Sequence, residues 1–126
     1  MSWNLNSLAT NNFERVQLIE AHNTIFNYDL ISICETSLND SHVSKVPELN
    51  GYTFEPVNHA NNMSHGGVGL FYKNSLPAVI RRDFSFDECL VTELTFGRKK
   101  VFFTVLYRSP AFKHNSPEFQ TFFIRL

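Results

Sequence analysis

What this sequence lacks first is charge of one sign. Eleven Lys and Arg residues stand against twelve Asp and Glu, for a formal net charge of −1, so no global positive field draws the chain to nucleic acid. The local basic runs Arg81-Arg82 and Arg98-Lys99-Lys100 read as solvated turns. Two cysteines are too few for a disulfide scaffold. Cys34 lies inside an apolar run and reads as a small packed hydrophobe, while Cys89 opens another strand-like run. The N-terminus shows no secretory signal, so a reducing, intracellular location, nuclear or cytoplasmic, is the expectation. On that basis the triplets Asn39-Asp40-Ser41 and Asn62-Met63-Ser64 are chance glycosylation matches. No apolar run approaches the roughly 20 residues that span a bilayer, so no membrane partner is expected. Internal repeats, low-complexity segments and a nucleophile-elbow serine are absent as well. The five histidines show no paired metal-ligand spacing.

What is present is apolar and aromatic. With 126 residues the chain is one domain by length, able to bury about two-thirds of its unfolded surface. Thirteen phenylalanines imply a large packed interior or an interface still to be filled, because Phe is a poor surface residue.

Periodicity supplies the elements. Residues 1–4 read as the stub of a strand. Residues 12–27 read as a helix, with Phe13, Val16, Ile19, Ile25 and Phe26 near the helical period. Asn11 or Asn12 can cap it, and Asn27-Tyr28-Asp29 ends it. Leu30 to Cys34 is short, continuous and β-branched, as expected for a strand covered on both faces. Residues 37–50 read as a loop, residues 51–57 as a short strand, and residues 58–67, rich in Asn, His, Ser and Gly, as a surface loop. Strands follow at 68–73 and 78–82. Residues 90–96 and 101–107 flank Gly97-Arg98-Lys99-Lys100 as a hairpin. Ser116-Pro117-Glu118 starts a last helix over 116–126. Leu90, Leu94, Val101, Phe103 and Val105 belong to a sheet face that meets either helices or a second sheet. Alternation leaves that choice open.

The order strand, polar pair, helix, strand, Glu brings the amides of Asn4 and Asn6 and the carboxylate of Glu35 to one sheet edge. That is a cradle for a hard divalent metal. Four segments taken in order carry a resemblance: Trp3-Asn4-Leu5-Asn6-Ser7-Leu8, Cys34-Glu35-Thr36, Gly66-Gly67-Val68-Gly69-Leu70-Phe71 and Tyr107-Arg108-Ser109-Pro110. Together they resemble the endonuclease/exonuclease/phosphatase superfamily, the DNase I-like fold, and most of all the endonuclease domain of LINE-type non-LTR retrotransposons.

The resemblance implies an α/β (α+β) fold: the N-terminal half of a four-layer α/β-β/α sandwich, one mixed sheet with helices on one face. Residues 1–126 are then a single partial domain, truncated at the C-terminus and slightly at the N-terminus. The implied activity is Mg²⁺-dependent hydrolysis of DNA phosphodiester bonds, with Mn²⁺ as a possible substitute. DNA is the partner of the intact parent. In this resemblance Glu35 is the metal ligand and Asn6 a metal-proximal position. Asn4 orients the catalytic carboxylate, and Tyr107, with Arg108, contacts the phosphate. Asn4 and Tyr107 are thus the catalytic candidates, and Asn4, Tyr107 and Arg108 the substrate-binding ones. The plain alternatives are a solvated strand end for Glu35, a turn-forming Asn for Asn4 and an interfacial aromatic for Tyr107.

The family's later motifs, Asp-x-Asn, a further Asp and Ser-Asp-His, have no counterpart here, so the water-activating general base is missing. The expectation is a fragment inactive alone, able to self-associate through an exposed sheet face. Two other readings stand beside it: a non-catalytic interaction fragment, and a phosphodiesterase of the same superfamily acting on inositol phosphates or lipids.

Overall fold

A computed structural model describes residues 1–59, 65–85 and 88–107. The elements run β1 (Ser2–Asn4), α1 (Thr10–Phe26), β2 (Leu30–Cys34), α2 (Asp40–Val43), β3 (Tyr52–Val57), β4 (Val68–Lys73), β5 (Ala78–Ile80), β6 (Cys89–Phe96) and β7 (Lys99–Leu106). The expected helix over 116–126, together with Arg108, Ser109, Pro110 and His114, lies outside the described residues.

The first sheet has four strands in the order β1-β2-β4-β3. It is mixed: β1 runs parallel to β2, whereas β4 is antiparallel to both β2 and β3. The parallel pair arises because α1 carries the chain back across the sheet before β2 starts, as a parallel crossover requires. Its register sets Asn4 opposite Cys34. β2 is covered on both faces, as its continuous apolar run predicts. Ile31 and Ile33 are fully buried among Leu8, Phe13, Val16, Ile19, Leu38, Leu49 and Phe71. Leu30 and Cys34 pack toward Val68, Leu70, Leu90 and Val105.

That second cluster joins the two sheets. A three-stranded antiparallel sheet, β5-β6-β7, contributes Leu90 and Val105 to it. The expected mixed sheet is therefore present with α1 on one face. A second sheet occupies the other, so the inner face is covered and not bare. Register decides what alternation left open. Leu90 pairs with Val105, Thr92 with Phe103 and Leu94 with Val101, which places all five apolar candidates on the same face of the hairpin. Leu90, Leu94 and Val105 are buried there, while Val101, at the far end, stays 48% exposed.

Three local expectations are corrected. Neither Asn11 nor Asn12 caps α1. Asn11, Asn12 and Phe13 all have left-handed φ and ψ, so the regular turns begin at Glu14, and Asn11 Nδ2 donates to Glu14 Oε2 (3.0 Å). Asn tolerates this conformation and Phe13 does not do so freely; the buried Phe13 ring holds it there. The 37–50 segment is not wholly loop, since α2 forms one turn behind Asn39, whose N–H donates to His42 Nδ1 (3.5 Å). At the hairpin tip the strands approach to Gly97-Arg98, with Lys99 and Lys100 already in β7. The predicted end of α1 holds, as Asn27 takes the left-handed cap conformation (φ 52°).

Candidate functional site

The site forms where strands stop. β1 ends at Asn4 and β2 at Cys34, side by side, and their ladder continues past both ends. Leu5 N–H donates to Cys34 O (3.2 Å), Ser7 N–H to Glu35 O (2.8 Å) and Leu8 N–H to Thr36 O (2.8 Å). The loop after β1 is thereby laid along the loop after β2. Arg15, reaching back from α1, holds it further. Its Nη1 donates to the carbonyls of Leu5 and Ser7 and to that of Asn6 (2.9 Å).

Within this frame Asn4 Nδ2 donates to Glu35 Oε1 (3.2 Å), and Asn4 Oδ1 accepts from Asn6 N–H (3.3 Å). One amide thus orients the carboxylate and fixes the neighbouring turn. Asn6 joins the group through its backbone. Tyr107, just past β7 in the other sheet, donates its hydroxyl to Glu35. Burial first, and then the Glu35 hydrogen bond and the negative charges of Glu35, Glu88 and Cys34, raise the Tyr107 pKa, so the phenol is a proton donor at neutral pH. Burial and the adjacent Glu35 charge raise the Cys34 thiol as well. At neutral pH it is a thiol, directed at Leu106 O (3.7 Å).

The backbone is unusual in the same place. Asn6, Ser7, Glu35, Ser37 and Glu88 all have positive φ, as do Gly66 and Gly67. Left-handed backbone in non-glycine residues persists where surrounding contacts over-determine it, which is common at functional sites.

Three of the sequence candidates, Asn4, Glu35 and Tyr107, are brought together, with Asn6 beside them. Arg108 lies outside the described residues. Glu88 and Arg15 were missed. Arg15 looks like one more helix cation, and its three carbonyl partners stand eight to ten residues away. Glu88 precedes β6 with no local motif around it. Its partner, Gly67, is 21 residues distant.

The donor set suits a hard divalent cation. Mg²⁺ takes oxygen ligands, keeps several waters and needs one or two carboxylates. Glu35 offers a carboxylate that enters none of the ion pairs among the described residues. The amide of Asn4 stands beside it, and Asn6 is tied to that amide through its backbone N–H. Among the described residues no three His, Cys, Asp or Glu side chains gather to hold a metal.

The chain's sequence matches the Endonuclease/Exonuclease/phosphatase family over residues 1–122. No curated protein matches it. Solved structures share the fold. The AP endonuclease LMAP from Leishmania major is similar at 20% identity and a TM-score of 0.70, over 86% of this chain and 39% of that one. The endonuclease domain of TRAS1, a telomere-specific non-LTR retrotransposon, aligns at 9% identity and 0.64, over 98% and 49%. The catalytic domain of APE2 from Xenopus laevis aligns at 19% and 0.57, also over 98% and 49%. The chain spans two-fifths to one half of the length of these structures.

Proposed function

The chain belongs to the Endonuclease/Exonuclease/phosphatase family, and from that premise we propose that it supplies one part of a divalent-metal centre that cleaves DNA phosphodiester bonds. The observation that carries the reading is the meeting of Asn4, Glu35 and Tyr107 from the ends of three strands in two sheets. Glu35, with Asn6 nearby, would hold Mg²⁺ or Mn²⁺. Such an ion neutralises charge on a scissile phosphate and its leaving oxygen. Asn4 holds the carboxylate in position, and Tyr107, protonated, is placed to donate a hydrogen bond to a phosphate oxygen. DNA as the substrate, target-DNA nicking during retrotransposition as the setting and the nucleus or cytoplasm as the place belong to the same proposal; the likeness in fold to AP endonucleases and to a retrotransposon endonuclease domain supports the first of these.

Water activation is the step these residues do not provide. The described histidines have other partners: His22 packs among Trp3, Phe26 and Tyr28, His59 and His65 face each other at 4.3 Å, and His42 accepts from Asn39. A missing general base typically costs a factor of about 10²–10⁴ or more. The 126 residues alone should therefore leave supercoiled plasmid un-nicked above background with Mg²⁺, yet bind the metal. Mn²⁺ should broaden the NMR signals of Glu35 and its neighbours, and Glu35→Gln should abolish this. Broadening indifferent to that substitution overturns the metal assignment, and robust nicking by the isolated chain overturns its dependence on further residues.

A further inference from the structure

Glu88 is buried at 9% exposure, and none of the metal- or substrate-binding roles assigned above uses its carboxylate. It enters none of the ion pairs among the described residues. Its side-chain Oε1 accepts from Gly67 N–H (2.9 Å), and its main-chain oxygen accepts from Tyr107 N–H (3.0 Å). The turn it grips is in turn hydrogen-bonded to the metal edge. Gly67 O accepts from Thr36 N–H (3.3 Å) and Gly66 O from Ser37 N–H (2.8 Å), the two residues that follow Glu35. The glycines leave room for this. A Cβ on residue 66 would stand 1.9 Å from Glu88 Oε1 and 3.5 Å from Tyr107 Cε1, and one on residue 67 would stand 2.7 Å from Thr36 Oγ1.

A carboxylate withdrawn from water without a cation is costly unless hydrogen bonds to its charged form offset the loss. Here one side chain ties together pieces from both sheets. We propose that Glu88 is a positioning residue: its carboxylate pins the Gly66-Gly67 turn against the end of β2 while its carbonyl pins Tyr107, so that Glu35 and the Tyr107 hydroxyl meet. The inference rests on the reading of Glu35 as the metal carboxylate. It adds that the second sheet is part of the site's construction, through a residue that touches neither metal nor substrate.

The test compares Glu88→Gln with Glu88→Asp in the 126-residue chain. Gln leaves an oxygen acceptor where Oε1 stands. Asp keeps the charge but withdraws it by one methylene, out of reach of Gly67 N–H. Amide hydrogen exchange is read at Thr36, Ser37 and Gly67, and Mn²⁺ titration at the Glu35 and Tyr107 signals. The amides of the β6–β7 ladder report on the fold. Glu88→Gln should stay within about threefold of the wild type in exchange. Glu88→Asp should speed exchange at the three amides by roughly tenfold or more. It should also raise the Mn²⁺ midpoint by about tenfold, the usual effect of losing a partner behind a ligand. The β6–β7 amides should be unchanged in both. Equal behaviour of the two variants, or unchanged exchange in Glu88→Asp, overturns the proposal. Loss of protection throughout the chain in either variant overturns it too, because Glu88 then holds the fold and not the site. A wild-type Mn²⁺ response insensitive to Glu35→Gln removes the metal reading instead, and the exchange comparison still judges the grip of Glu88 on the turn.

Discussion

At the scale of single residues, environment separates groups that look alike in sequence. Cys34 and Cys89 both sit in apolar runs. Cys34 is raised by burial and by Glu35, whereas Cys89, fully buried, is pushed by burial up to about 11 from 9.0. The sign for stability follows directly. The folded chain holds the Cys89 proton more tightly than the unfolded chain does, so above pH 9.0 the unfolded state loses its proton first. Stability from this group is complete below pH 9.0 and is lost as pH rises toward about 11. Denaturant titrations across that window should show the decline, and Cys89→Ala should flatten it. A slope unchanged by Cys89→Ala contradicts the assignment. The carboxylates Glu35 and Glu88 show the same principle. Both stand on left-handed backbone, but one faces an amide and a phenol, and the other a glycine turn.

At the scale of elements, glycines mark where strands must come close or turn. Gly69 lies in β4, paired with Ile33 on one side and Pro56 on the other. A Cβ there would meet Phe54 Cε2 at 2.6 Å and Cζ at 2.8 Å. Phe54 packs tilted against Phe71, ring centroids 4.5 Å apart, so its ring yields only by disturbing the core. Gly69→Ala should therefore destabilise the chain by about 1–3 kcal/mol. Gly97, at the hairpin tip with φ 62°, has nothing within 4 Å of an added Cβ. Gly97→Ala meets strain alone and should cost about 1–2 kcal/mol. Its cost should not depend on core packing: in the background of a Phe54→Leu change, only the Gly69→Ala loss should shrink. Urea unfolding of the four combinations tests that difference.

At the scale of the whole molecule, the joint between sheets decides stability. Leu90 is 1% exposed and packs with Val68, Leu70 and Val105 across that joint. Leu90→Ala should cost about 2–5 kcal/mol. That is a large share of the roughly 5–15 kcal/mol that holds a domain together. The outer face of the second sheet is different. Val79 and Phe102 both pair with Glu93 and are 56% and 50% exposed. Among the described residues β7 is an edge strand. Concentration-dependent self-association through this face is the expectation. Phe102→Lys should lower the weight-average mass in sedimentation, and a monomer at all concentrations in the unsubstituted chain would refute it. No helix among the described residues is long and apolar enough to cross a membrane.

The sequence by itself determined the strands in outline, the body and end of α1, and one edge of the site. Local patterns suffice for that. The β-branched run at 30–34, the strand-like runs on either side of Gly97 and the Asn27 stop each act within a few residues, and parallel strands joined by a helix must end on the same side. Asn4 and Glu35 were therefore legible as neighbours. The tertiary structure alone decided that Tyr107 reaches Glu35 from a sheet 72 residues further along the chain. It also decided that Leu90 and Val105 face inward and that Glu88 grips Gly67. Alternation says which residues share a face and nothing about what the face meets. That is set by register and burial between segments distant in sequence, where no local propensity acts.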